Sequence, residues 1–304
     1  MDNLYRSHTT LFADVGTEAG ALASARTVII SAPLEYTVCY GAGTANGPAA
    51  IIAASSQMEL YDEEIDAVPA DAGIATLAPL DFSHLDHDDA LQRIHDAVAA
   101  VVEHAQLPVT LGGEHSLTAP CVRAIQEQAG FAPLGVIQFD AHSDLRSAFE
   151  GSPNSHASAM RRTLDVPGVA LLEVGIRSMS VEERADLRDG HVTATILWAH
   201  ELATGRANFA AALAALPERV YITIDLDCFD TGIMPAVGTP EPGGLGWYSV
   251  LGMIRAIAQT KRVVGCDVVE LAPIPSFNAP DYLAAKLVYR LLGALFSAQQ
   301  GGES

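Results

Sequence analysis

The chain has 304 residues, 49% of them hydrophobic, which is enough to bury a large core of the α/β type. Acidic residues number 37 against 17 basic ones, so the formal net charge is -20. Such a surface repels nucleic-acid phosphates and anionic lipids and favours a small cationic ligand. We therefore expect neither a nucleic acid nor a membrane as a partner.

The chain shows no signature of secretion or of a membrane span. Its first residues, MDNLYRSHTTLFADVG, lack a basic region followed by an apolar segment. Residues 37–58 carry no charge, but their Gly, Ser and Asn content and Pro48 argue against a membrane span. The four cysteines are scattered without a C-x-x-C pair, which is typical of reduced thiols and predicts a cytoplasmic protein.

Short apolar runs alternate with amphipathic stretches along the chain. The runs begin near Thr27, Pro108, Leu134, Ala170, Thr193, Val220 and Val263, and they predict strands buried on both faces. Apolar residues spaced three and four apart predict amphipathic helices that begin near Asp88, Arg206 and Tyr248. The last predicted helix is LAAKLVYRLLGALFSA. The alternation predicts a single domain over 1–304, three-layer α/β/α with a central mostly parallel sheet. Residues 1–25 are predicted to be irregular and 299–304 a polar tail.

Polar residues follow three of the predicted strands directly. The run at Pro108 leads into GGEH, ending at His115; the run at Leu134 leads into DAHSD, residues 140–144; and the run at Val220 ends in Asp225 and Asp227. Ligands of open α/β sheets bind beyond the carboxyl ends of the strands. Alternate residues of an extended segment point to the same side, so these side chains can converge.

Clustered carboxylates raise one another's pKa and are costly to bury unless a cation accompanies them. The set offers six ligands: His115, Asp140, His142, Asp144, Asp225 and Asp227. Six ligands exceed what one ion usually takes from a protein and predict two divalent metals that share a water or hydroxide. The oxygen-rich set favours Mn²⁺ over structural Zn²⁺, and the Irving–Williams order leaves other divalent ions open.

Other histidine clusters have a simpler interpretation. Residues 81–90 mix His and Asp, but they precede an amphipathic helix, where Asp residues serve as N-caps, so we interpret them as a solvated helix start. The histidines without a partner pattern are predicted to be surface or packing residues: His95, His104, His191 and His200. A lone Asp-x-Asp would be read as a turn, but three polar elements directly after apolar strands favour a metal site.

In combination and order, the motifs GGEHS, FDAHSD, SHASAMRR, TIDLDCFD with GTPEPGGL, and DVVELAP resemble the ureohydrolase family, which includes arginase and agmatinase. The resemblance covers most of the chain from Pro33, and YGAGTANGPAAI and NSHASAMRR are most similar to agmatinases. It implies an arginase-like fold and a dinuclear manganese enzyme. One metal would be held by His115, Asp140, Asp144 and Asp225, and the other by His142, Asp140, Asp225 and Asp227.

The resemblance also implies a reaction. By this resemblance, a hydroxide held by the two metals would attack the guanidinium carbon, Asp144 would carry the proton to the departing amine, and urea and a free amine would be released. Glu270 would bind the guanidinium through a planar, charge-assisted contact, unless it is only a salt-bridged acid. His156 would be a proton shuttle and substrate contact, unless it is an ordinary loop histidine.

The tail of the substrate is a separate question. Glu150 and Glu241, on loops expected to border the cleft, favour a cationic tail, and Glu241 is predicted to bind substrate. We therefore predict agmatine as substrate and putrescine and urea as products. Arg146 could pair with a carboxylate if it turns inward, which would favour guanidinobutyrate or arginine.

Two other classes of protein stay open. A single-zinc deacetylase has a similar architecture, but it needs fewer acidic ligands than the six present here. A non-catalytic relative would be expected to lack a ligand or Glu270, and neither is missing. The family resemblance further implies a homo-oligomer, a trimer or a hexamer.

Overall fold

The computed structural model of the protein describes residues 10–15, 21–129 and 133–300, with the side chains of all but 21, 129, 299 and 300. Its strands are β1 (Thr27–Ala32), β2 (Ile74–Thr76), β3 (Leu107–Gly112), β4 (Leu134–Phe139), β5 (Val169–Ile176), β6 (Thr195–Trp198), β7 (Arg219–Asp225) and β8 (Arg262–Val269). Seven of them match the predicted apolar runs. Strand β2 was not predicted, because three residues are too short for a pattern to show.

The strands form one sheet in the order β2-β1-β3-β8-β7-β4-β5-β6, and each neighbouring pair is parallel. The predicted parallel sheet is thus confirmed, and it holds no antiparallel strand in the described part of the chain. Strands β3, β8, β7 and β4 occupy its centre. Because parallel strands end at the same edge, the segments that follow these four strands are neighbours.

The helices are α1 (Ala21–Ser24), α2 (Gly47–Ser55), α3 (His87–Glu103), α4 (Thr118–Ala129), α5 (Ala159–Leu164), α6 (Val181–Asp189), α7 (Ala199–Ala203), α8 (Phe209–Ala215), α9 (Trp247–Thr260) and α10 (Ala279–Gln300). One buried cluster packs α2, α9 and α10 against one face of the sheet, and a second packs α3, α4 and α5 against the other. The three-layer α/β/α prediction is therefore confirmed.

Helix α3 begins as predicted. The side chain of Asp86 accepts a hydrogen bond from the N–H of Asp89 at 2.9 Å, which is an N-cap. One histidine of the 81–90 cluster departs from the solvated interpretation: His87 is only partly exposed, stacks on Tyr36 and lies 3.4 Å from Glu114. Shorter helices such as α2 and α5 were not predicted, because their apolar spacing is too brief to stand out.

The ends of the chain are partly described. Phe12 is fully buried, and its N–H donates to Oγ1 of Thr76 at 3.0 Å, so part of the predicted irregular segment 1–25 packs on the domain core. Helix α10 continues through Gln300, and residues 301–304 of the predicted tail lie outside the described residues. None of the helices in the described ranges combines the length and apolarity that a bilayer crossing requires.

Candidate active site

All six side chains of the predicted metal set lie together at the carboxyl edge of the sheet. His115 begins a 3-10 turn after β3, the segment 140–144 follows β4, and Asp225 and Asp227 lie at the end of β7 and in the turn after it. Five of the six are almost inaccessible to solvent, and His142 is partly exposed. The fold thus brings together what the sequence places 112 residues apart, from His115 to Asp227.

A tight chain crossing leads into His115. A Cβ atom on Gly113 would lie 1.9 Å from the carbonyl oxygen of Leu34, so only glycine fits there. The backbone N–H of Glu114 also donates to that oxygen, at 2.9 Å. The loop after β1 is thereby held against the end of β3, and His115 enters the site in a fixed position.

His115 faces three carboxylates. Its Nδ1 atom lies 3.1 Å from Oδ2 of Asp140, 3.1 Å from Oδ2 of Asp144 and 3.5 Å from Oδ2 of Asp225. The atom is buried, yet it makes no well-aligned hydrogen bond to any described residue. A buried nitrogen left without a hydrogen bond among carboxylate oxygens fits a metal ligand better than a structural histidine.

A second group adjoins the first. Nδ1 of His142 lies 2.9 Å from Oδ2 of Asp227 and 3.7 Å from Oδ1 of Asp140. Within each of the sets His115–Asp140–Asp225 and Asp140–His142–Asp227, one ligand atom per residue lies within 4.8 Å of the others. Both sets include Asp140, so the donors fit two neighbouring divalent ions that share this carboxylate.

Backbone groups hold the carboxylates in place. Oδ1 of Asp140 accepts from the N–H of His142 at 2.6 Å, and Oδ1 of Asp225 accepts from the N–H of Asp227 at 2.8 Å. Oδ1 of Asp227 accepts from the N–H of Ala141 at 2.9 Å, which joins the segments after β4 and β7. In each of these aspartates Oδ1 accepts from the backbone, and Oδ2 lies nearest a histidine: His115 for Asp140 and Asp225, and His142 for Asp227.

The buried carboxylates of the cluster repel one another, which favours the binding of cations. Burial, reinforced by Asp227 and Asp144, raises the pKa of Asp140 to about 7, and burial with the same kind of repulsion raises the pKa of Asp225 well above its usual range. Burial opposes ionisation of His142, but Asp227 outweighs it and raises the pKa of that imidazole to about 10. Bound divalent ions would relieve this repulsion among the buried carboxylates.

Glu270 follows β8 and lines the same cleft. Its backbone is in the left-handed region, with φ of 68°, which is unusual for a residue other than glycine. Its Oε1 accepts from the N–H of His115 at 2.7 Å, and its own N–H donates to the carbonyl of Gly113 at 2.8 Å. Burial and the charge of Glu114 raise the pKa of Glu270. No lysine or arginine pairs with it among the described residues, so it is not a salt-bridged structural acid.

His156 lies across the cleft, at the start of the 3-10 turn before α5. Its Nδ1 lies 3.2 Å from Oγ1 of Thr37, and its Nε2 lies 3.5 Å from the sulfur of Cys39. The Thr37 hydroxyl donates to Oε1 of Glu114 at 2.8 Å. With its one proton given to Glu114, Thr37 can only accept from Nδ1–H, which leaves Nε2 of neutral His156 as a proton acceptor. Sequence reasoning missed Thr37 and Glu114.

The cleft has a volume of about 270 Å³. Among the residues that line it are His115, His142, Asp144, His156 and Glu270. A larger groove of about 480 Å³ lies between α3, α4 and α5, and it contains none of these side chains. These five predicted site residues therefore share one cavity.

The residues predicted to meet the substrate tail lie at its rim. Oε1 of Glu241 is 4.0 Å from Nε2 of His142, although Glu241 is not part of the cleft wall itself. Glu150 is exposed in the tight turn that follows Phe149, a wall residue. Arg146 does line the cleft, but its guanidinium lies 5.0 Å from the Phe149 ring and its Nε lies 4.0 Å from Glu183.

Arg177 is a further residue that sequence reasoning missed. After β5 its guanidinium donates to backbone carbonyls on both sides, including those of Asp227 and Glu241, each at 2.7 Å. It thereby joins the loop that carries Asp227 to the loop that carries Glu241. The only signal in the sequence was an arginine directly after a predicted strand, which does not reveal such a role.

The chain is similar to known proteins over most of its length. A model of the arginase family matches residues 25–293. The chain is 42% identical over 277 residues to the N(1)-aminopropylagmatine ureohydrolase of Synechocystis sp., and the match covers 89% of each chain. It is 33% identical over 273 residues to the agmatinase of Pyrococcus horikoshii, and that match covers 88% of this chain and 90% of the agmatinase. The crystal structure of agmatine ureohydrolase of Thermoplasma volcanium superposes with a TM-score of 0.86 at 28% identity, covering 97% of both chains.

Proposed function

The chain belongs to the arginase family, and from this premise we propose that it is a two-manganese ureohydrolase acting on a guanidinium compound with a cationic tail. The observation that carries the proposal is the pair of ligand groups that share Asp140 at the floor of the cleft. Ureohydrolase activity of the agmatinase type follows from the relatives. The metal, the residue roles and the substrate are the parts that we propose.

The ligand set divides between two ions. We assign His115, Asp140, Asp144 and Asp225 to one and Asp140, His142, Asp225 and Asp227 to the other, with Asp140 and Asp225 shared. The oxygen-rich donors favour Mn²⁺. When bound, the two ions supply Lewis acidity that makes water a nucleophile near neutral pH.

The remaining residues bind the substrate and move protons. Glu270 binds the guanidinium, since its carboxylate is fixed by the N–H of His115 and lies in the cleft without a competing cation among the described residues. Asp144 holds the proton released by water and passes it to the departing amine. His156 accepts or returns a proton at Nε2, the nitrogen on the side of Cys39 and the cleft.

Charge favours a cationic tail. The net charge of -20 and the rim carboxylates of Glu150 and Glu241 attract an ammonium group. Arg146, the side chain that could bind a substrate carboxylate, is already placed between Phe149 and Glu183. The site is therefore better suited to agmatine than to arginine or guanidinobutyrate.

A specific observation favours a second substrate. The relative with 42% identity is named for N(1)-aminopropylagmatine, a longer polycation, whereas the agmatinase of P. horikoshii is 33% identical. Agmatine is our first candidate and its aminopropyl derivative the second. Both share the guanidinium and the cationic tail, so the roles above apply to either.

Turnover of four guanidines by the Mn²⁺-loaded protein tests the substrate assignment. We expect kcat/KM for agmatine or N(1)-aminopropylagmatine to exceed that for arginine and guanidinobutyrate by at least about tenfold, because each partly exposed rim carboxylate attracts an ammonium tail and repels a carboxylate tail by about 0.2–1 kcal/mol. Preference between the two cationic substrates decides the finer assignment. Faster turnover of arginine or guanidinobutyrate would refute the cationic tail.

As the resemblance implied, we also propose that the protein is a homo-oligomer, either a trimer or a hexamer. The support is family membership alone. Light scattering of the purified protein measures the mass directly, and a monomer of 31.9 kDa would refute the proposal.

A further inference from the structure

Beneath the ligand cluster, a row of polar side chains crosses the middle of the sheet. Thr110 on β3, Asp267 on β8, Thr223 on β7 and Gln138 on β4 are partners in register on successive strands. All four are buried, at 1% exposure or less. Polar residues in the core of a parallel sheet are costly unless each one is hydrogen-bonded, so the row needs an explanation.

Asp267 is the acceptor at the centre of this row. Its Oδ1 accepts from Oγ1 of Thr223 at 2.6 Å. Its Oδ2 accepts from the hydroxyl of Tyr221 at 2.7 Å and from Oγ1 of Thr118 at 3.0 Å. Three hydroxyl groups thus surround one carboxylate, and each has a single proton to donate.

The direction of the next hydrogen bond follows from this arrangement. Oγ1 of Thr223 also lies 2.9 Å from Nε2 of His115. Because the only proton of Thr223 goes to Asp267, its oxygen must accept the second bond. The donor is therefore Nε2–H of His115. The 3.3 Å contact between Thr118 and Thr223 is the longest in the group and needs no further proton, since both hydroxyls already donate to Asp267.

We infer that Thr223 and Asp267 are positioning residues that hold the proton of His115 on Nε2, so that the lone pair of Nδ1 points at the metal site. The inference rests on the proposed function, because it gives the metal-facing role to Nδ1. That nitrogen is the one that lies among the carboxylates of Asp140, Asp144 and Asp225. A ligand histidine whose second nitrogen is fixed by a hydrogen bond binds metal more tightly, typically by 10- to 100-fold.

The hydroxyl of Thr223, rather than the size of its side chain, holds the proton of His115 on Nε2. Thr223→Val keeps the size and branching of the side chain and removes the hydroxyl, whereas Thr223→Ser keeps the hydroxyl and removes a methyl group. We expect Thr223→Val to weaken the binding of one Mn²⁺ by about 10- to 100-fold, as measured by calorimetric titration of the chelator-treated full chain. Thr223→Ser should bind both ions within about threefold of the unmodified protein.

Asp267 acts through Thr223, which a double-mutant cycle can measure. Asp267→Asn alone should weaken Mn²⁺ binding, because an amide no longer forces the Thr223 proton away from His115. In the Thr223→Val background the same change should have no further effect on Mn²⁺ affinity. If Thr223→Val does not fold, as judged by circular dichroism, Asp267→Asn tested in the Thr223→Ser background supplies the affinity readout, and loss of affinity is again expected.

Three outcomes would overturn the inference. Thr223→Val could bind both ions as the unmodified protein does, Thr223→Ser could lose as much affinity as Thr223→Val, or the two single effects could add in the double variant. Failure of the proposed function looks different, because the unmodified protein would then bind fewer than two Mn²⁺ ions or release no urea.

Discussion

Nδ1 of His115 lies 3.1 Å from Oδ2 of Asp140, although the two residues follow strands that are not neighbours in the sheet. His115 follows β3 and Asp140 follows β4, with β8 and β7 between them in the sheet. The contact depends on parallel strands that end at one edge. A change at Asp140 should therefore alter both the stability of this edge and its capacity to bind metal.

Asp140→Asn should raise the stability of the metal-free protein and abolish its stabilisation by Mn²⁺. The variant removes one of the buried negative charges that repel one another, so in chelator its unfolding temperature should rise above that of the unmodified protein by a few degrees. Added Mn²⁺ should stabilise the unmodified protein and leave the variant unchanged, since binding raises stability only when a site exists. Thermal unfolding with chelator and with Mn²⁺ measures both effects; equal Mn²⁺ stabilisation of the two proteins would contradict the shared role of Asp140.

Glu270→Gln should weaken the reaction without disturbing the metals. Glutamine keeps an oxygen for the N–H of His115 but loses the charge that pairs with guanidinium. A hydrogen bond to a charged group contributes about 1.5–3 kcal/mol, so kcat/KM should fall by about 10- to 150-fold. Steady-state kinetics and Mn²⁺ titration of the same sample check this. Unchanged kinetics would remove Glu270 from the substrate site.

Thr37→Val should affect proton transfer through His156. Without the Thr37 hydroxyl, Nδ1 of His156 loses the partner that leaves Nε2 unprotonated in the neutral ring. General acid–base groups contribute about 100- to 10,000-fold, and we expect kcat to fall by at least about tenfold with KM and Mn²⁺ affinity nearly unchanged. Thr37→Ser is the matched control and should keep its kcat. A loss confined to KM would point to substrate contact instead.

Glu241→Gln should weaken the attraction of the substrate tail. The carboxylate is about a third exposed, and partly exposed charge pairs contribute about 0.2–1 kcal/mol. We therefore expect KM for agmatine to rise by up to about fivefold at low salt, with kcat unchanged. Raising the salt concentration should shrink the difference between variant and unmodified protein. A lower KM in the variant would contradict a cationic tail.

Glu173→Gln should stabilise the protein at alkaline pH. Glu173 is fully buried on β5, neither of its oxygens has a hydrogen-bond partner among the described residues, and burial raises its pKa well above the usual range. The folded state then keeps a proton that the unfolded chain releases above pH of about 4.3, so stability falls as the pH rises from there toward the folded pKa.

Glutamine removes this pH dependence. It can also donate to Oε1 of Gln138, the register neighbour of Glu173, which has no partner in the described part of the chain either. The gain in the urea midpoint of unfolding over the unmodified protein should be larger at pH 8 than at pH 5. A gain independent of pH would mean that Glu173 is not protonated in the folded state.

The sequence predicted the layers of the fold and the ligand set, because both leave local signals. Apolar runs on strands such as β4 and β7 are continuous, and their last residues change abruptly to His and Asp. The register of the sheet has no such signal, so the order that places β8 between β3 and β7 came only from the structure.

The residues that support the site could not be predicted either, because their partners lie far away in the sequence. Thr223 and Asp267 lie inside apolar strands and act through neighbours on other strands, at 2.6 Å from each other across 44 residues of sequence. Arg177 and Thr37 bind loops whose positions depend on tertiary packing. For Thr223 the one local hint was its position two residues before Asp225, since residues i and i+2 of a strand share a face.

Urea release during Mn²⁺ titration of the chelator-stripped protein tests the central claim most directly. With agmatine or N(1)-aminopropylagmatine as substrate, we predict no urea without metal and a rate that reaches its plateau when two Mn²⁺ ions are bound per chain. A plateau at one ion per chain, or urea release that is independent of added metal, would contradict a site in which two ions share Asp140.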